Sequence, residues 1–175
     1  IGPPLHESFH QFYGFDEEKA VQAAAKYRER YKDIGVYECE PYEGIEAVLN
    51  KLCEKGYVLG IATSKPEIFA KKIMEHFGLK PYFTYITGSL LDNSRSNKTE
   101  VIKEAFRRFG VGETYEKEEI LMVGDRKHDI IGAKECGIES MGVRYGFARG
   151  DELEEAGADY IVDTVAEISK KILDI

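Results

Sequence analysis

The sequence predicts an α/β protein, a parallel sheet with helices on both faces, and three observations carry that prediction. From residue 41 onward, apolar runs of strand length alternate with longer amphipathic stretches. Those stretches carry start and stop residues, with Pro66 at one start and Gly56, Gly78 and Gly137 at stops. Finally, Ile120–Val123 is apolar at every position rather than at alternate ones, the pattern of a strand buried on both faces.

Taken in order, residues 5–38 read as helical. "LHESFHQFYGF" is a short amphipathic piece, and Asp16 can cap "EEKAVQAAAKYRERYK", which is rich in good helix formers. "YEGIEAVLNKLCEKG" is a helix ending at Gly56, and "YVLGIAT" a strand ending at Thr63. "PEIFAKKIMEHFG" is a helix with Pro66 at its first position, followed by the strand "YFTYITG" and the helix "KTEVIKEAFRRFG". The run 120–123 and a helix stopping at Gly137 come next, then short strands near 140–145 and 159–162 and a closing helix over 164–173. The character of the chain changes at Pro41, so residues 1–40 and 41–175 are read as two parts.

The 175 residues, 43% hydrophobic, suffice for a real core. A net charge of −8 argues against a nucleic-acid or membrane-surface partner, since both attract the opposite sign. No run approaches a membrane span and no signal-peptide pattern opens the chain, so the expectation is a soluble cytoplasmic protein, monomer or homodimer. Cys39, Cys53 and Cys136, odd in number and far apart, read as reduced, buried thiols.

The chemistry-bearing residues cluster at strand ends. Asp125 follows the run 120–123 and Asp129 lies one helical turn on, facing the same crevice, a placement suited to a hard cation. The bland alternative is that Asp125 caps the helix and Asp129 is a solvated first-turn acid. Thr63 and Ser64 end another strand just before a helix start, a ready anion site, although Ser64 could equally be an ordinary N-cap. Lys98 opens a helix where a cation opposes the dipole, a broken local rule of the kind that marks function. Arg95, three residues earlier, adds a second cation, and His128 reads as solvent-facing.

A hydroxyl after one strand, a lysine after the next and Gly-Asp-x-x-x-Asp after a third resemble the haloacid dehalogenase superfamily, whose motifs II, III and IV run in that order. "GIATSKP" resembles motif II, with Thr63 as the phosphate-binding hydroxyl; Lys98 resembles motif III; "VGDRKHD" resembles motif IV, with Asp125 and Asp129 around magnesium. "IGPPL", "VGDRKHDIIGAK" and "YGFARGDELEEAGADYIVD" look most like the phosphoglycolate phosphatase-like group. The resemblance implies a Rossmann-like core at 41–175 and a partial helical cap at 1–40. Gly2, Pro3, Pro4 and Leu5 would then reach over the substrate, with Arg95 nearby.

The family's motif I, a strand ending in Asp-x-Asp, is not in this sequence: none of its nine Asp residues has another Asp two positions later. In the family that strand lies between those ending here at Thr63 and Val123. The expectation is that about 20 to 40 residues, by typical element lengths, precede the chain and carry the nucleophile. A truncated, non-catalytic phosphate-binding module is the alternative. For the intact enzyme the resemblance implies Mg²⁺-dependent hydrolysis of a small phosphorylated metabolite such as phosphoglycolate, through an aspartyl-phosphate. Thr63, Ser64 and Lys98 would bind the phosphoryl group. The chain alone would be inactive. A sugar-phosphate mutase shares these motifs and is the competing enzyme; a dehalogenase is disfavoured, because its chemistry needs no metal.

Overall fold

The structure, a computed structural model, describes residues 5–92, 94–95 and 97–174, and divides into two compact units, 1–40 and 41–175. The first unit contains α1 (Leu5–Tyr13) and α2 (Glu17–Tyr31), then a 3₁₀ turn at Gly35–Tyr37. Asp16 caps α2 by accepting the Lys19 N–H at 2.8 Å. Phe9 stacks on Phe15, with ring centroids 6.0 Å apart, and Lys19 lies over the Phe15 ring, closing the corner between the helices. Ala20, Ala24 and Val36 are the buried hydrophobic residues here. The calls at Gly2, Pro3 and Pro4 lie outside the described residues; Leu5 is half-buried at the first position of α1.

The second unit alternates helices α3 (Ile45–Glu54), α4 (Glu67–His76), α5 (Lys98–Phe109), α6 (Lys127–Cys136), α7 (Glu152–Ala156) and α8 (Val165–Asp174) with strands β1 (Gly60–Pro66), β2 (Tyr85–Ser89), β3 (Leu121–Gly124), β4 (Glu139–Val143) and β5 (Tyr160–Val162). All strand pairing is parallel, as the alternation predicts. The strands form two sheets, β1-β2 and β3-β4-β5, and β1 and β3 are not paired with each other.

The same side-chain alternation runs through both sheets. Leu121 and Val123 of β3, with Leu59 just before β1, pack among Val48, Leu52, Met141, Val143, Val162 and Ile168 under α3 and α8. Met122 of β3 and Ala62 of β1 face the opposite cluster of Ile102, Ala133, Cys136 and Ile138. Helices α5 and α6 therefore pack together across the seam, α5 on β1 and β2, α6 on β3 and β4. Full burial of a side chain such as Ile102, Ile130 or Met141 is worth roughly 1.5–3 kcal/mol, so this packing holds the two sheets as one layer.

Three local expectations are corrected. The run at β3 is half-buried throughout rather than buried on both faces, whereas Ser140–Val143 of β4 are fully buried. The difference is pairing: β4 has a strand on each edge and β3 on one. Strand β1 runs on past Thr63 to Pro66, with an irregularity between Thr63 and Pro66, so Pro66 rather than Ser64 occupies the N-cap of α4. Cys39 and Cys53 are exposed, and only Cys136 is a buried thiol. Helix α7 is not anticipated by the sequence reading.

A charge network pins the far end of β2. Glu67 receives hydrogen bonds from Arg95, Lys71 and the Gly88 N–H and pairs with Arg108; Glu104 pairs with Arg95, Arg107 and Arg108. Burial alone would raise the Glu67 pKa, but the hydrogen bonds from Arg108, Lys71 and Gly88 outweigh it and hold it at about 2. A depressed carboxylate pKa contributes stability that is full above its ordinary value of 4.5 and is lost as pH falls toward 2. Glu67→Gln is therefore expected to destabilise the protein by about 2 kcal/mol at pH 7, leaving Arg95 and Arg108 short of a partner. In urea titrations the gap to the native protein narrows below pH 4.5; equal stability at pH 7 would remove the network from the account.

Candidate active site

Lys98 is the hub of the strand-end residues. It is the first residue of α5, after Asn97, whose side chain caps the helix by accepting the Glu100 N–H. Its ammonium lies 2.7 Å from Asp129 Oδ1 and donates to Ala62 O at 2.8 Å. That carbonyl belongs to the open edge of β1. Leu59 O accepts the Thr84 N–H on the β2 side, and alternation along a parallel strand turns Ala62 O the opposite way. Lys98 thus joins α5, α6 and the residue before Thr63. An ammonium has three N–H donors, and these two partners leave one.

The two acids differ. Asp129, at the third position of α6, is buried, and its Oδ2 accepts the Arg126 N–H at 3.1 Å while Oδ1 faces Lys98. The capping alternative raised for Asp125 belongs in fact to Asp129, since Arg126 occupies the N-cap. Asp125 is half-buried just beyond β3, and its Oδ2 accepts the Phe147 N–H at 2.9 Å. Thr63 Oγ1 accepts the Lys65 N–H at 3.1 Å, which leaves its own proton free to donate. Ser64 is exposed and gives its carbonyl to the Ser89 hydroxyl, and His128 is exposed as expected.

Lys98, Asp129, Ala62-Thr63 and Asp125 therefore converge at the carboxyl ends of β1 and β3. Arg95 is placed otherwise: its guanidinium donates to Gly88 O at 2.8 Å and pairs with Glu67 and Glu104. It holds φ at +52°, a left-handed conformation unusual for a residue with a side chain.

Sequence reasoning missed three glycines that make this convergence possible. A Cβ on Gly124 would overlap the Asp129 side chain, one on Gly146 would lie 2.6 Å from Asp125 Oδ2, and one on Gly132 would lie 2.7 Å from Lys98 Cγ. None of the three has a positive φ, so it is close approach, not backbone conformation, that asks for glycine. Gly132, alone in the interior of a good helix, is the one whose position carries a sequence signal. Also missed was Glu152, which accepts from Arg126 Nε at 2.7 Å and the Lys127 N–H at 2.9 Å and so anchors the turn after Asp125.

The arrangement suits Mg²⁺, which takes few carboxylates and keeps several waters. Asp125 has an oxygen with no hydrogen bond to a described residue, whereas both Asp129 oxygens have protein partners. Among the described residues no cluster of three or more His, Cys, Asp or Glu could hold a metal ion. Asp125 thus keeps one oxygen that could meet a cation, and Asp129 is the residue bonded to Lys98.

Comparison with known proteins identifies the family. The profile of the haloacid dehalogenase-like hydrolases matches residues 1–143. The chain belongs to that family. It is 44% identical over 153 residues to a Pseudomonas aeruginosa 5′-nucleotidase, covering 87% of this chain and 67% of that protein. It is 34% identical over 161 residues to the tyrosine-protein kinase PtkA of Mycobacterium tuberculosis, covering 92% of this chain and 53% of that one. A phosphoglycolate phosphatase of Vibrio vulnificus is 27% identical over 173 residues, 99% of this chain and 74% of that protein. The crystal structure of a predicted phosphatase from Clostridium acetobutylicum superposes with a TM-score of 0.91 at 45% identity, over all of this chain and 79% of that one. The chain spans about half to two thirds of the length of the first two relatives.

Gly132→Ala separates close approach from helix propensity. In an open helix the change would stabilise by about 1 kcal/mol. Here the methyl meets the stem of Lys98 and Ile102 Cδ1, so a net loss of about 1–2 kcal/mol is expected in urea denaturation. A more stable variant would show that the Lys98 stem is not held against α6.

Proposed function

We propose that this chain is the main part of a Mg²⁺-dependent phosphatase that hydrolyses small phosphomonoesters by way of an aspartyl-phosphate. The observation that carries the reading is the position of Lys98, bonded at once to Asp129 and to the carbonyl preceding Thr63, with Asp125 at the end of the adjoining strand. The attacking carboxylate comes from outside these residues, on a segment that fills the seam between β1 and β3. Support for that segment comes from two strands that pair on one edge only and from Ala62 O, which points into the seam and is met by a side chain rather than a neighbouring strand.

In this reading Lys98 gives its third N–H to a phosphoryl oxygen, and Thr63 donates its hydroxyl proton to another. Asp129 keeps Lys98 aimed. Asp125 holds the metal through the oxygen that Phe147 leaves open. The Mg²⁺, when bound, neutralises charge on the phosphoryl oxygens and orients them for in-line attack. Ser64 lines the same strand end. None of these residues distinguishes one phosphomonoester from another, so selection falls to groups that meet the rest of the substrate, and the family resemblance of "IGPPL" is what makes Leu5 a candidate. Both phosphoglycolate and nucleoside monophosphates are consistent with the relatives' names.

The test is phosphate release from phosphoglycolate, a nucleoside monophosphate and acetyl phosphate by the full-length protein, with Mg²⁺ and with excess chelator. Asp125→Asn is expected to lower kcat at least 100-fold with the fold retained by circular dichroism, in line with the loss of a principal electrostatic group. Turnover that survives the substitution at saturating Mg²⁺ would take Asp125 out of the mechanism. Leu5→Ala is expected to change the kcat/KM ratio of phosphoglycolate to the nucleotide while sparing acetyl phosphate; an equal loss on all three would place Leu5 in folding instead.

A further inference from the structure

Asp125 stands out because its surroundings come from outside the three strand-end motifs, from the start of the stretch "YGFARGDELEEAGADYIVD". The segment after β4, Tyr145–Gly146–Phe147, wraps it. The Phe147 N–H fixes Oδ2, and Gly146 lies so close that no side chain fits between its Cα and the carboxylate. Tyr145, the other neighbour of Gly146, packs at the edge of the core formed by Met141, Val143 and Val162. The ring of Tyr42, from the segment leading into α3, meets Tyr145 edge-on with centroids 4.8 Å apart. A line of contacts therefore runs from Tyr42 through Tyr145 and Gly146 to one oxygen of Asp125.

We propose that Tyr145–Gly146–Phe147 is a positioning clamp for the metal-holding carboxylate, braced from outside by Tyr42. Held on Oδ2 by a backbone donor and hemmed in by Gly146, the Asp125 side chain is restricted, so Oδ1 is left for a cation and less rotational entropy is lost on binding. The bracing ring matters because the clamp is a loop and Tyr145 is the residue by which it packs against the core. Tyr42 braces the clamp through its ring contact with Tyr145. The clamp rests on Asp125 being a metal ligand, as in the function proposed above.

Two variants of the full-length protein test it, read by metal binding as well as turnover. Tb³⁺ substitutes for Mg²⁺ and is sensitised by nearby tyrosines, so its luminescence, competed with Mg²⁺, gives affinity without catalysis. Gly146→Ala is expected to weaken both ions at least ten-fold by pushing the carboxylate off its position, with KM for the phosphate substrate at saturating Mg²⁺ changed less than two-fold. Tyr42→Ala, which leaves the clamp's own atoms in place, is expected to weaken both ions about three-fold, with Tyr42→Phe restoring native affinity because the ring and not the hydroxyl is the brace. Should Gly146→Ala fail to fold, the two Tyr42 variants decide. Native metal affinity in folded Gly146→Ala or in Tyr42→Ala overturns the proposal, as does native affinity in Asp125→Asn. A wild-type protein that binds Mg²⁺ through Asp125 and releases no phosphate would sink the proposed reaction and leave the clamp standing.

Discussion

The ion pair between Lys98 and Asp129 is the contact on which the rest of the second unit turns. It is nearly closed to solvent, with side chains 12% and 10% exposed, and it is shared among three elements rather than two, since Ala62 O takes another of the lysine's protons. A buried pair of this kind adds little net stability over an apolar pair of the same shape, because desolvation offsets most of the attraction. Breaking it is another matter, since one charge is then left uncompensated. Its value is therefore in position: it fixes where α5 begins against α6, and so where the two sheets sit. No backbone hydrogen bond joins β1 to β3, and between their carboxyl ends this side chain stands in for the ladder.

A lysine stem and two carboxylates can converge so tightly only if something is removed to admit them. Glycine does this three times, at Gly124 beneath Asp129, at Gly132 beneath Lys98 and at Gly146 beside Asp125. Each is a single missing methyl on an element that would be better formed with one, as the helix interior at Gly132 shows most plainly. The local cost of glycine is thus spread over β3, α6 and the loop after β4, and the return is a site whose charged groups are held by backbone as well as by one another.

The element order was legible in the sequence because apolar run length and Gly or Pro punctuation are local properties. So were Thr63, Lys98, Asp125 and Asp129, each of which breaks a local pattern at a strand end. What was not legible depends on distance in space. The half-burial of β3 reflects which strand stands beside it, a fact absent from "ILMV" itself. The exposure of Cys53 follows from which side of α3 meets the core, and Val48 and Leu52 took that side. Arg95 and Lys98 looked alike as cations before a helix, yet Glu67 and Glu104, 28 residues upstream of Arg95 and 9 downstream, claim one and Asp129 the other. Phe147 could not be found at all, because its contribution is a backbone N–H that any residue but proline would supply.

The two sides of the seam are held in different ways, and that difference bears on how the site works. On the β1-β2 side the anchors are charges, with Arg95 kept in a left-handed conformation by Glu67, Glu104 and the Gly88 carbonyl. A strained residue persists only where its surroundings over-determine it, so Arg95 itself is firmly held. On the β3-β4 side the anchors are backbone donors and short contacts, Phe147 on Asp125 and Arg126 on Asp129, with Glu152 closing the turn between them. Each half is thus rigid within itself, and Lys98 reaches from one to the other. A phosphoryl group bound by Thr63 and Lys98 on one side and by a cation on Asp125 on the other would span the same seam, so whatever sets the spacing of β1 and β3 also sets the distance over which its charge is stabilised. Electrostatic catalysis requires that distance to be fixed in advance of reaction, and here the structure fixes it with a lysine.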